Sequence, residues 1–251
     1  MMLARARTAT VMAFRDQRRR PLVLILLVLL PAYVITKSVA ETLGTPRRIG
    51  LPDGVWVTTT MRDLHGAGMG GVVVAFAAAL LGVFVMQSAL QGDRRLVVAG
   101  FRPGETVLAR LLVLVAATAL VVAVSAVVTA FNFTPASWPP LLAALVLLGL
   151  IYAALGSLAG ALLDKLAATY LMLFLVMTDL GVVQSPMFRE SPGSGAALLP
   201  GYGPSRVMYD GAFAQSFHGI GELLLSIGWL AALGIAVYVV LRRAIGQTAI
   251  A

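Results

Sequence analysis

The sequence predicts an all-α polytopic membrane protein. It reads as one transmembrane domain over residues 1–251, with six transmembrane helices, an N-terminal amphipathic interfacial helix over 1–20 and a short surface helix within 91–106. Three observations carry this. The chain is 59% hydrophobic and 12% charged, with mean hydropathy +0.92, against roughly 45–50% and 25% in soluble domains. Six apolar stretches, residues 21–39, 70–90, 107–131, 139–163, 166–183 and 223–241, suit helices crossing a hydrocarbon core about 30 Å thick. The basic residues are shared unevenly between the two sets of connections.

The elements follow in order. In residues 1–20, Leu3, Ala6, Thr10, Ala13 and Phe14 share one helical face, with Arg5, Arg15, Arg18 and Arg19 on the other. Such a helix rests in the headgroup layer. Val11 and Met12 interrupt the pattern, and a basic tail that only anchors topology is the alternative. A cleaved signal peptide is the rival reading of the first span: Arg18–Arg20 as n-region, 22–34 as h-region, Ser38-Val39-Ala40 as cleavage site. That n-region is unusually long, and five further spans insert without cleavage. The loop 37–69 contains Val55-Trp56-Val57-Thr58-Thr59-Thr60, a possible strand or membrane-resting edge. Spans three to five are joined by residues 132–138 and by Asp164-Lys165, both tight helical hairpins. Residues 184–222 form a long segment with Pro186, Pro192, Pro200 and Pro204. Within it Met208, Tyr209, Phe213 and Phe217 recur at helical spacing, which predicts a short amphipathic helix over 205–217.

The most distinctive stretch is the sixteen-residue polar break 91–106, QGDRRLVVAGFRPGET. A two-span hairpin needs only a few turn residues. This one is too short for a domain but long enough for a helix on the membrane surface. Pro103 presets its own φ and disfavours helix for Arg102, so a helix should stop there. Leu96, Val97, Val98 and Phe101 would form an apolar knob, rimmed by Arg94, Arg95 and Arg102. A knob with a charged rim suits docking to another protein. A helix lying on lipid, its arginines on headgroups, is the alternative.

With the N-terminus inside, thirteen basic residues fall on the inner side and six on the outer, where acidic residues dilute them. The positive-inside bias therefore puts both termini in the cytoplasm. It also accounts for the net charge of +8 without nucleic acid, for which there is no motif.

Several chemistries find no support. There is no GxxxxGK[ST] loop, HExxH, GxSxG or Cys, and His65 and His218 stand alone, so neither an enzyme nor a metal site is expected. Asp179 and Glu222 fall near the outer ends of their helices, leaving the span interiors almost bare of ionisable groups, whereas a proton-coupled carrier would bury a carboxylate there. The Gly149-x-x-x-Ala153 and Gly156-x-x-x-Gly160 spacings permit close helix contact, within one chain or across a dimer seam. A secondary transporter or channel and a non-transporting membrane scaffold remain the competing classes.

In this order of elements, and in two motifs, the chain resembles the membrane subunits of ATP-binding-cassette exporters of the type-2 permease family. The first motif is Asp93-Arg94-Arg95-Leu96-Val97-Val98-Ala99-Gly100-Phe101-Arg102-Pro103-Gly104-Glu105, then Leu108-Ala109-Arg110. It is similar to the family's cytoplasmic coupling segment, although Gln91 and Asp93 stand where many members carry glutamates. The second is Leu199-Pro200-Gly201-Tyr202-Gly203-Pro204-Ser205-Arg206, in a region that forms short helices dipping into the outer leaflet. The resemblance implies that Asp93 to Val98 and Gly100 to Glu105 couple to an ABC ATPase subunit, which holds the ATP and Mg while this chain binds no cofactor. It implies a second permease subunit, identical or homologous, surrounding lipids, and a plasma-membrane location. Pro200, Tyr202, Arg206, Tyr209 and Phe213 become candidates for an external gate, an interfacial cap with no gating role being the alternative. The neutral, apolar span faces favour a hydrophobic substrate, a drug-like molecule or a lipid.

Overall fold

The computed structural model describes the backbone of residues 21–98 and 103–246, and within it the side chains of residues 28–87, 108 and 110–243. The chain order is α1 (Pro21–Glu41), β1 (Pro46–Gly50), β2 (Trp56–Thr60), α2 (Met61–Val98), α3 (Pro103–Asn132), α4 (Trp138–Leu162), α5 (Lys165–Val176), α6 (Tyr202–Phe213) and α7 (Ile220–Gly246). A π-helical turn, Met177–Val183, extends α5. Among the described residues, five segments are long and apolar enough to cross a membrane: Met61–Gln87, Arg110–Asn132, Trp138–Leu162, Lys165–Val183 and Ile220–Arg243. Where the first span was expected, α1 has 21 residues, about 31 Å of helix. The amphipathic helix expected over 1–20 lies outside the described residues.

Local chemistry sets the boundaries. Helix α2 begins nine residues before the apolar stretch at 70, where Thr60 caps it: Asp63 N–H donates to Thr60 Oγ1 at 3.1 Å, and that hydroxyl donates to Asp63 Oδ2 at 2.7 Å. At its other end α2 does not stop at the polar break. Residues 91–98 continue the same helix instead of starting a separate surface helix. The stretch contains one glycine and no proline, and polarity alone does not break a helix. Residues 99–102 lie outside the described residues, and Pro103 opens α3, where its missing N–H costs nothing. The α4–α5 link is as tight as expected: Asp164 Oδ1 accepts from Leu166 N at 2.9 Å and Ala167 N at 3.0 Å, capping α5.

The loop 37–69 contains the strand that its sequence suggested, and a partner for it. Strands β1 and β2 pair antiparallel, with Arg48 opposite Thr58 and Gly50 opposite Trp56, and Arg48 lies over the Trp56 ring at 4.6 Å. This hairpin marks one end of the bundle, the hairpin end. The α4–α5 turn marks the far end.

Helices α2 and α4 form the centre and pack on each other more extensively than any other pair. A Cβ on Gly156 would fall on the Ala79 carbonyl, one on Gly82 on the Ala153 carbonyl, and one on Gly160 within 2.8 Å of the Val83 carbonyl. Backbone therefore touches backbone along this seam, the in-chain packing that the Gly156-x-x-x-Gly160 spacing allowed. Around it, α3, α5 and α7 bury one face and leave Leu120, Phe174 and Ile235 exposed on the other.

Gly156→Ala should lower the thermal midpoint by several degrees, an overpacking cost of about 1–3 kcal/mol. A Cβ on Gly228 would have nothing within 4 Å of it, so Gly228→Ala should be near neutral. Equal midpoints for the two variants in one detergent would refute the backbone-contact seam.

Candidate functional site

Helix α6 is where the structure departs most from an amphipathic surface helix. It spans Tyr202–Phe213 rather than 205–217, and Gly203 through Ala212 are all buried. The reason is its small residues. A Cβ on Gly203 would meet the Glu222 carbonyl of α7 at 2.5 Å, and one on Gly211 would meet Leu141 N of α4 at 2.7 Å. Helices α4, α7 and α2 thus close around α6 at the hairpin end of the bundle.

The five candidate gate residues come together on this helix and the turn before it. Pro200 is buried and Tyr202 half-buried. Arg206, 9% exposed, donates from Nη1 to the Gly50 carbonyl of β1, while its Nε has no partner. Burial holds its pKa below the usual arginine value, and nearby Tyr202, Glu222 and Asp210 pull the other way. Tyr209 presses its hydroxyl against Gly68 of α2, and burial pushes its phenol above the usual range, so it stays protonated. Phe213 meets Phe133 edge to face at 5.6 Å. Beside this pair a cavity of about 620 Å³ opens between Thr59, Asp63, Asn132, Thr134 and Gln215.

Two carboxylates hold α6 in place, and sequence reasoning missed both. Asp179, expected near the outer end of its helix, is 1% exposed. It accepts from Tyr152 Oη at 2.6 Å, Gly201 N at 2.9 Å and Gln184 Nε2 at 3.1 Å. One side chain on the π-helical turn therefore binds α4, the turn into α6 and the segment between. It stands on the final turn of the Lys165–Val183 segment, near the helix end as expected, but it is enclosed by protein there. Asp210, also 1% exposed, accepts from His218 N at 2.8 Å and Gly219 N at 3.1 Å, folding the start of α7 back onto α6. No local pattern signals the first, because Tyr152 and Gly201 lie 27 and 22 residues from Asp179.

The hairpin is tied to the same region. Gly50 N donates to the Glu190 carbonyl at 2.8 Å and Arg47 Nη2 to the Met187 carbonyl at 3.1 Å. On α3, Thr118, Ser125 and Thr129 are buried with hydroxyls that lack a partner. Of the coupling candidates, Asp93 to Val98 lie on the last turns of α2 and Pro103 to Glu105 on the first turn of α3. Gly100, Phe101 and Arg102 fall outside the described residues, as do the side chains of the whole set. Among the described residues no three His, Cys, Asp or Glu gather as a metal-ligand set.

Residues 60–242, from the cap of α2 almost to the end of α7, match the family model described as ABC-2 family transporter protein. The chain belongs to the ABC-2 transporter family. No curated protein matches it. As an ABC-2 permease it is a multi-pass membrane subunit of an ABC transporter, of a kind that generally lacks its own ATP site and associates with an ABC ATPase subunit. The family match also weighs against a proton-coupled carrier.

Removing a partner from a buried polar group costs about 1–3 kcal/mol. Asp179→Ala strands the Tyr152 hydroxyl and the Gly201 amide, so it should destabilise this permease clearly more than Tyr152→Phe, which leaves the carboxylate two donors. Thermal unfolding of the two variants checks the order.

Proposed function

We propose that this chain is the membrane-spanning half of an ATP-driven exporter that moves a hydrophobic substrate, a lipid or drug-like molecule, outward across the plasma membrane. The observation that carries the reading is the family match over 60–242, which takes in the polar stretch 91–106 and both helices flanking it. A second permease subunit, identical or homologous, completes the path. Two cytoplasmic ATPases bind the ATP and Mg.

Helix α1 is the first of six spans. Both termini and residues 91–106 face the cytoplasm, and the hairpin end faces outside. The arginine distribution supports this orientation. ATP-driven closure of the motors pushes on Asp93 to Glu105, and α2 and α3 carry the motion inward. Helix α6, held between α2, α4 and α7 by Asp179 and Asp210, closes the outer mouth, with Pro200, Tyr202, Arg206, Tyr209 and Phe213 on the closing element. The apolar faces of the spans favour a hydrophobic cargo.

The central test is co-purification of an ATPase in mild detergent. Burying a Phe side chain contributes roughly 1.5–3 kcal/mol. Phe101→Asp should therefore weaken the ATPase complex about tenfold or more and abolish export, with membrane insertion intact. Phe101→Leu should be far milder. Normal motor binding and transport in Phe101→Asp would sink the docking role, and failed insertion would point to a lipid-anchoring segment.

Orientation is checked separately with single cysteines, since the chain has none of its own. A cysteine at the exposed position 48 should react with an impermeant reagent added to intact cells, and one at 95 should not. The reverse pattern would invert the topology.

A further inference from the structure

Two helices leave the 91–105 stretch, and the structure holds them differently. Near the far end of α2, Gln87 Nε2 donates to the Gly160 and Leu163 carbonyls, each at 2.8 Å. These belong to the last turn and cap of α4, where carbonyls lack a donor from within the helix. One turn earlier on α2, the Phe84 ring lies 5.1 Å from Lys165 Nζ, the first residue of α5. Two side chains of α2 thus grip the α4–α5 turn from both sides of its Asp164 cap. Next to them the Gly156 and Gly160 contacts bring the α2 and α4 backbones together. Beyond Gln87, α2 runs on unbroken to Val98, about 16 Å further. Helix α3 leaves the same stretch with Leu108, Leu112 and Val115 exposed and Val113 and Leu114 buried; it packs on α2 and α4 but makes little contact with α5.

Water at a membrane surface can satisfy the last carbonyls of a helix. The fold therefore does not need Gln87 to close α4, and what the amide adds is a link from one helix to another. We infer that the α4–α5 turn moves as one body with α2. Force applied at residues 91–105 reaches α4 and α5 through Gln87 and Phe84, and α3 is the helix that shifts against that body. The inference rests on reading 91–105 as the ATPase-docking segment. It makes Gln87 a positioning residue for transport, remote from any substrate.

The test uses the full permease–ATPase complex reconstituted in liposomes. Spin labels at 90 and 166 report on α2 against the start of α5, and labels at 112 and 166 report on α3 against the same point. In the wild-type background the 90–166 distance should be the same in the nucleotide-free and ATP-trapped states, and the 112–166 distance should change. Gln87→Leu keeps the volume and removes the donor. It should retain ATPase binding and hydrolysis and lower transport per ATP hydrolysed about tenfold, the scale of one or two lost hydrogen bonds. Its 90–166 distance should now depend on nucleotide.

A nucleotide-dependent 90–166 distance in the wild-type background overturns the inference. So does a Gln87→Leu complex with wild-type transport per ATP. If that variant fails to assemble, the wild-type distances decide alone. An absence of any ATPase bound to the wild-type chain overturns the docking reading itself, an outcome distinct from a driven transporter whose 90–166 distance moves.

Discussion

The rest of the structure depends on the contact between α2 and α4. Inside a bilayer, lipid tails are as apolar as leucine, so helices gain little from hiding apolar surface against one another. Association must come from close packing and from hydrogen bonds. Gly82, Gly156 and Gly160 provide the first by letting backbones touch, which brings many weak dispersion contacts into range at once. Gln87 adds the second at the end of the seam, with two bonds across it. Helices α3, α5 and α7 need only one face against this centre, and their outer faces carry leucine, phenylalanine and isoleucine into the lipid.

The hairpin end follows a different rule. Irregular backbone enclosed by protein survives only where its polar groups find partners. The segment from Gln184 to Gly201 returns toward the bundle, and Asp179 meets it with bonds to Gly201 N and Gln184 Nε2. Burial of that carboxylate without partners would be costly. With three donors converging, it becomes the junction of α4, α5 and α6. Asp210 serves the entry to α7 in the same way, and Arg206 joins α6 to the hairpin through the Gly50 carbonyl. Polar groups here organise the chain where apolar packing cannot specify a path.

These two regions divide the mechanical properties of an ABC-2 permease. The centre is held backbone to backbone and changes shape only at high cost. The hairpin end adds to the close approaches at Gly203 and Gly211 a set of individual hydrogen bonds, and such bonds can be exchanged during a transport cycle. Helix α3 packs on α2 less extensively than α4 does, and it carries three buried hydroxyls without hydrogen-bond partners.

Much of this was legible in the sequence, because it depends on neighbours along the chain. Runs of apolar residues marked the five membrane-length helices and α1. Asp164 and the short 132–138 link marked the tight turns, and Val55 to Thr60 marked a strand. The motifs over 93–110 and 199–206 pointed to the family that the 60–242 match shows. The extension of α2 through 91–98 was misread, because polar residues signal exposure to water and say little about where a helix ends. The rest required the tertiary structure. Tyr152 lies 27 residues and Gly201 22 residues from Asp179, and Gln87 reaches carbonyls 73 and 76 residues away. The glycine spacing on α4 announced a close approach without naming the partner helix. A pattern of turns and apolar runs records what each segment needs from its solvent. Which segments meet, and hence whether a helix like α6 floats on a surface or is enclosed, is decided only when the helices pack.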